Sequence, residues 1–99
     1  MIYDSIVIGG GVVGASIARY LSLYDISVAL LEKNSDLCTG TSKANSGIAH
    51  AGYDPIPGTL KAKLNVRGNQ LLRELAPQLD IDLKNNMAMV LSFNRDDEL

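Results

Sequence analysis

Ile2-Tyr3-Asp4-Ser5-Ile6-Val7-Ile8-Gly9-Gly10-Gly11-Val12-Val13-Gly14 lies at the start of a 99-residue chain. Ile2 to Ile8 is rich in Ile, Val and Tyr and stops at a glycine, the pattern of a short buried strand. Gly9-Gly10-Gly11 turns the chain. Val13, Ile17, Ala18, Leu21 and Tyr24 then recur at helical spacing, so Val13 to Tyr24 is expected to be a helix. Asp25 and Ser27 fall in the break after it. Ser27-Val28-Ala29-Leu30-Leu31 is a second apolar run, ending at Glu32-Lys33. Both runs are almost continuously apolar, as parallel strands covered on both faces are. The unit is a βαβ unit in an α/β fold, with a right-handed crossover expected.

Gly9-x-Gly11-x-x-Gly14 sits between the first strand and the helix, where a Rossmann-like dinucleotide fold needs its glycines. Gly9 permits the tight turn, Gly11 lets a pyrophosphate approach the backbone, and Gly14 lets helix and strand pack closely. The free N–H groups and the positive dipole end of the helix face the phosphates. Glu32 follows Gly14 by 18 residues, at the end of the second strand. A carboxylate there can accept hydrogen bonds from both ribose hydroxyls of an adenosine and repels a 2′-phosphate. The plain alternatives are turn glycines and a solvated strand-end charge. FAD and NAD both present ADP to such a unit, and these residues do not choose between them.

Asn34 to Gly52 is polar and small-residue-rich, and its length points to a binding loop. Gly58 to Leu79 carries Leu60, Leu64, Leu71, Leu72, Leu75 and Leu79 at intervals that make a long amphipathic helix. Gly68 inside it costs about 1 kcal/mol against Ala, which hints at a close approach there. Pro77 is expected to end or kink that helix. Ile81 to Lys84 and Met87 to Phe93 are expected to pair as a β-hairpin around Asn85-Asn86.

The composition narrows the function. Hydrophobic residues make up 46%, charged residues 20%, and the formal net charge is −2. That is an ordinary globular balance without the basic excess of a nucleic-acid binder. Four Tyr, one Phe and no Trp give no base-stacking platform. The lone Cys38 forms no internal disulfide, which suits a reducing compartment, and with one histidine in the chain it offers no metal site and no Cys–His nucleophile. No apolar run is long enough to span a membrane, and no basic segment precedes the first apolar stretch.

Thr41-Ser42-Lys43-Ala44-Asn45-Ser46-Gly47-Ile48-Ala49-His50-Ala51-Gly52-Tyr53 and Pro57-Gly58-Thr59-Leu60-Lys61-Ala62-Lys63-Leu64 are the most distinctive blocks. With the glycine turn and Glu32, they resemble the FAD-dependent oxidoreductases of the D-amino-acid-oxidase superfamily. Within it, the chain is most similar to the FAD-dependent glycerol-3-phosphate dehydrogenases and L-2-hydroxyglutarate oxidases. The resemblance covers about residues 2 to 93. It implies a two-domain enzyme in which one domain binds FAD and the other lays a sheet over the flavin. Residues 1–80 would be the first part of the FAD-binding domain, and 81–99 the start of the substrate domain. The implied reaction is oxidation of a small anionic hydroxy compound, glycerol 3-phosphate or a 2-hydroxy acid, by hydride transfer to FAD. An electron acceptor is the second partner. The implied location is cytoplasmic, with peripheral membrane association as an option. The competing readings are an NAD-linked dehydrogenase module, a non-catalytic dinucleotide-binding domain and, more distantly, an RNA-modifying flavoprotein.

Carried over by position, the resemblance puts Gly9, Gly11, Val12, Val13 and Gly14 on the pyrophosphate and Glu32 and Lys33 near the adenosine ribose. Ser42, Asn45, Ser46 and Gly47 would run past the ribityl chain. Short hydroxyl and amide side chains suit a polyol and phosphates, although a plain solvent loop has the same composition. His50, the only histidine, follows this loop as a positioning group or proton carrier beside the flavin, against the alternative of a structural histidine. Lys61 and Lys63 can attract an anion or simply be solvated. Asn94-Arg95-Asp96-Asp97-Glu98-Leu99 has the caps and acids of a helix start, from which we expect the chain to be the N-terminal piece of a longer protein.

Overall fold

The computed structural model describes residues 1–93, so the helix start read at 94–99 lies outside the described residues. The chain divides into two compact units, one spanning Met1–Gly47 and a second beginning at Ile48.

In the first unit, strand β1 (Ser5–Ile8) is followed by helix α1 (Val12–Leu21) and strand β2 (Val28–Leu31). The strands pair in parallel, Ser5 opposite Val28 and Ile8 opposite Leu31. Gly9 N–H extends the ladder to the Leu31 carbonyl at 2.8 Å. This is the βαβ order read from the sequence.

The ends differ from the expected ones. β1 begins at Ser5 rather than Ile2, because the segment opposite turns away: Ile26 N–H donates to the Tyr24 carbonyl. Asp4 and Ser27 close the sheet at that end. The Asp4 carboxylate accepts from the Ser27 N–H at 2.8 Å and from its hydroxyl at 2.6 Å, and these bonds hold its pKa below the ordinary value. α1 stops at Leu21 rather than Tyr24. Ser22 terminates it with its hydroxyl on the Arg19 carbonyl at 2.7 Å, a local bond that competes with the helix ladder.

In the second unit, helix α2 spans Leu60–Leu75, inside the expected 58–79. Thr59 caps it, accepting from the Ala62 N–H at 3.2 Å. Gly58, at φ +81°, lies outside the helix. Pro77, with no N–H to donate, comes just after the C-cap Ala76 and ends it. The more covered positions include Ala62, Asn65, Asn69, Leu72 and Ala76, spaced three and four apart, while Leu60 and Leu64 are exposed. The covered face therefore carries two asparagines that the leucine pattern alone hid. Gly68 has open space around its missing Cβ, so the close approach expected there is not present.

The hairpin over 81–84 and 87–93 is not formed; those residues carry no strand pairing. Leu83 N–H instead donates to the Ile81 carbonyl at 2.8 Å, a tight local turn. Met87, Met89, Val90, Leu91 and Phe93 are exposed. A two-stranded ribbon with no apolar partner beneath it is marginal, which is why the alternating pattern does not pair here. Among the described residues, Ala76 is the only residue of hydrophobic type that is buried, and no helix is long and apolar enough to cross a membrane.

Candidate functional site

The turn between β1 and α1 is built by three glycines doing different things. Gly9 adopts φ +101°, a region that side chains rarely enter. Gly14 is buried, and a Cβ there would overlap the Gly9 carbonyl oxygen. Gly11 is the N-cap of α1 and brings no side chain to cap it. The cap comes from elsewhere: the Ser42 hydroxyl accepts from the Val12 N–H at 2.8 Å. A Cβ on Gly11 would lie 3.2 Å from that same oxygen. Ser42 is thereby drawn to the positive end of the helix, where backbone donors lack partners within the helix.

Glu32, one residue beyond β2, turns back toward the glycines. Its Oε2 accepts from the Gly10 N–H at 2.8 Å, and its Oε1 accepts from the Asn34 N–H at 2.9 Å. These bonds, that of Asn34 first and that of Gly10 second, hold the carboxyl below the usual glutamate range. Each oxygen keeps a second acceptor position.

The spacing rule gives Gly10 no role, yet both its N–H and its carbonyl are engaged. Its carbonyl accepts from the Cys38 N–H at 2.9 Å, with the thiol at 3.5 Å. A Cβ on Gly10 would fall 2.5 Å from Leu37 Cδ2 and 3.1 Å from Glu32 Oε2. The run of three consecutive glycines, where the spacing rule needs only its first and third, was the available signal.

Two hollows open on this turn. One, of about 340 Å³, is lined by Gly9, Gly11, Val12, Val13, Gly14 and Ser42 together with apolar side chains of β1 and α1. The other, of about 270 Å³, is bounded by Gly11, Glu32, Lys33, Cys38 and Ser42 among others. Eight of the proposed cofactor residues thus gather around one helix end: Gly9, Gly11, Val12, Val13, Gly14, Glu32, Lys33 and Ser42. Asn45, Ser46 and Gly47 line neither hollow. Asn45 shapes its own loop, donating from Nδ2 to the Ser42 carbonyl at 2.5 Å and accepting from the Gly47 N–H at 2.8 Å. Gly47 sits at φ +66°.

The turn fits the diphosphate of a dinucleotide. A Cβ at Gly11 would crowd Ser42 Oγ at the mouth of the turn, N–H groups of the helix N-terminus other than that of Val12 remain for a ligand, and a carboxylate with spare acceptor positions stands beside them. Among the described residues, no three His, Cys, Asp or Glu side chains cluster as metal ligands do.

His50 lies in the second unit. Its carbonyl accepts from Asn69 Nδ2 of α2 at 3.0 Å. Two residues on, Gly52 adopts φ +101°, and a Cβ there would meet Val66 Cγ2 at 2.5 Å. Asn65 Oδ1, on the same helix, is buried with no hydrogen-bond partner among the described residues.

Comparison with known proteins gives the family. The chain is 52% identical over 97 residues to a glycerol 3-phosphate dehydrogenase of Caloramator mitchellensis, covering 98% of this chain and 20% of that protein. It is 41% identical to a glycerol 3-phosphate oxidase of Mycoplasma genitalium, covering 97% of this chain and 25% of the relative. It is 36% identical to the mitochondrial L-2-hydroxyglutarate dehydrogenase of Homo sapiens, covering 96% of this chain and 21% of the relative. The chain therefore spans about a fifth to a quarter of the length of these relatives. Residues 4–99 match the family described as FAD dependent oxidoreductase, DAO, and the chain belongs to that family.

Proposed function

We propose that the protein carrying this chain is a Rossmann-like flavoenzyme that oxidises a small anionic hydroxy compound, glycerol 3-phosphate before a 2-hydroxy acid. The observation that carries the reading is the Glu32 carboxylate, bonded to the Gly10 N–H at 2.8 Å and bordering a hollow that Gly11 and Ser42 share. The turn of Gly9, Gly11, Val12, Val13 and Gly14 seats the diphosphate, with the N–H groups of Gly11, Val13 and Gly14 as its donors, since those of Gly9 and Val12 are bonded to Leu31 and Ser42. Glu32 accepts from the adenosine ribose, and Lys33 flanks it. Ser42, Asn45, Ser46 and Gly47 run along the ribityl chain. FAD, when bound, supplies the two-electron acceptor for oxidation of the carbinol carbon. His50 orients the substrate and takes the hydroxyl proton on a ring nitrogen. Residues 1–80 begin the FAD-binding domain, and 81–99 open the substrate domain. The preference for glycerol 3-phosphate rests on the names of the first two relatives.

The test is purification of the full-length protein. A yellow protein whose released cofactor is FAD, and which reduces a dye with glycerol 3-phosphate, supports the reading. Dye reduction with L-2-hydroxyglutarate alone transfers it to the 2-hydroxy acid. A colourless protein that binds NAD overturns it.

A further inference from the structure

Asn69, on the covered face of α2, joins a polar relay that runs from the exposed Arg73 to the segment that holds His50. Asn69 Nδ2 donates to the His50 carbonyl at 3.0 Å. Asn69 Oδ1 accepts from Arg73 Nε at 3.1 Å. Arg73 Nη1 donates to Asn85 Oδ1, also at 3.1 Å. A guanidinium can only donate, so Arg73 draws the carbonyl end of the Asn69 amide to itself and turns the amino end to His50. The direction of the relay is set by chemistry, independently of how an amide is assigned.

The same segment is seated a second time at Gly52. Its backbone passes so close to Val66 that a Cβ would lie 2.5 Å from Val66 Cγ2. His50 is held at its own carbonyl and two residues downstream, on side chains of one helix. Both holds are on the backbone, so neither uses an imidazole nitrogen.

We propose that Asn69 is a positioning residue for His50 in substrate oxidation, with Arg73 orienting the Asn69 amide. This rests on the reading of His50 as the group that meets the substrate hydroxyl. An oxidation of this kind depends on where the proton acceptor stands, and a displacement of about 1 Å can lower the rate by about a hundredfold. Asn69 fixes the carbonyl of the residue whose ring does that work.

The test uses the full-length FAD-loaded enzyme and three variants. Asn69→Asp keeps the shape and the bond to Arg73 but places an acceptor against the His50 carbonyl. Asn69→Gln keeps a donor on a longer arm. His50→Asn removes the ring. Asn69→Asp is expected to lower kcat with glycerol 3-phosphate by about tenfold to a hundredfold. KM and flavin content should stay within about twofold, and Asn69→Gln should recover part of the loss. Amide hydrogen exchange over residues 48–53 should rise in Asn69→Asp while that over 5–31 stays as it was, a readout independent of turnover. If Asn69→Asp does not fold, Arg73→Gln is expected to lower kcat in the same direction with KM kept. An unchanged kcat in Asn69→Asp, or in Arg73→Gln where that variant stands in, beside a large loss in His50→Asn overturns the positioning role and leaves the reading of His50 standing. An unchanged kcat in His50→Asn overturns both.

Discussion

The Oε2 atom of Glu32 accepts a hydrogen bond from the Gly10 N–H at 2.8 Å, tying the acid after β2 to the turn after β1. The carboxylate has a structural task before any ribose reaches it. Glu32→Gln keeps one carbonyl acceptor and turns the other position into a donor. We expect FAD affinity of the full-length enzyme to fall by roughly tenfold, as loss of a charge-assisted bond at a half-buried position does, with kcat per bound flavin unchanged. Flavin fluorescence on dilution measures it.

The pH dependence follows from the same bonds. Backbone amides of Asn34 and Gly10 lower the Glu32 pKa in the folded chain. A depressed folded pKa gives stability that is complete above the unfolded value, about 4.3 for glutamate. It is lost as pH falls through the lower folded value. Asp4, lowered chiefly by its bond to the Ser27 hydroxyl, acts in the same direction. Flavin release in an acid titration should therefore rise below about pH 4.3, and Glu32→Gln should flatten that limb.

Two glycines should answer oppositely to alanine. A Cβ at Gly14 would overlap the Gly9 carbonyl oxygen, whereas one at Gly68 meets open space within α2. Gly14→Ala is expected to destabilise by about 1–3 kcal/mol and strip the flavin. Gly68→Ala should stabilise by about 0.5–1 kcal/mol, since it only removes backbone freedom from the unfolded chain. Thermal melts of the two full-length variants separate them.

Ser42 caps a helix that its own N-cap residue cannot. Ser42→Ala should cost about 1 kcal/mol by leaving the Val12 N–H unpaired, and Ser42→Thr should largely restore it. Melting temperature together with FAD affinity is the measurement.

The strand–helix–strand order, the glycine turn and the acid were legible because each depends on local pattern: an apolar run, a backbone that needs glycine, a spacing set by one crossover. The start of β1 and the cap of α1 were not, because they depend on partners distant in sequence, whereas α1 ends on a local bond from Ser22 to Arg19 that periodicity does not show. Ser27 reaches back to Asp4, and Ser42 reaches back to Val12. Gly10 is not marked by the spacing rule, yet Leu37 and Glu32 leave it no room for a side chain. The expected hairpin at 81–93 failed for a different reason. Alternation shows which residues would share a face, but it supplies nothing for that face to cover.

Asn69 and Arg73 stand one helical turn apart and reach different segments, His50 and Asn85. Adding a single residue between them would swing Arg73 round the axis by about 100°. Adding seven would nearly restore the angle but carry it about 10.5 Å along the axis. No insertion satisfies both angle and height, so the span of α2 between Asn69 and Arg73 admits no change of length.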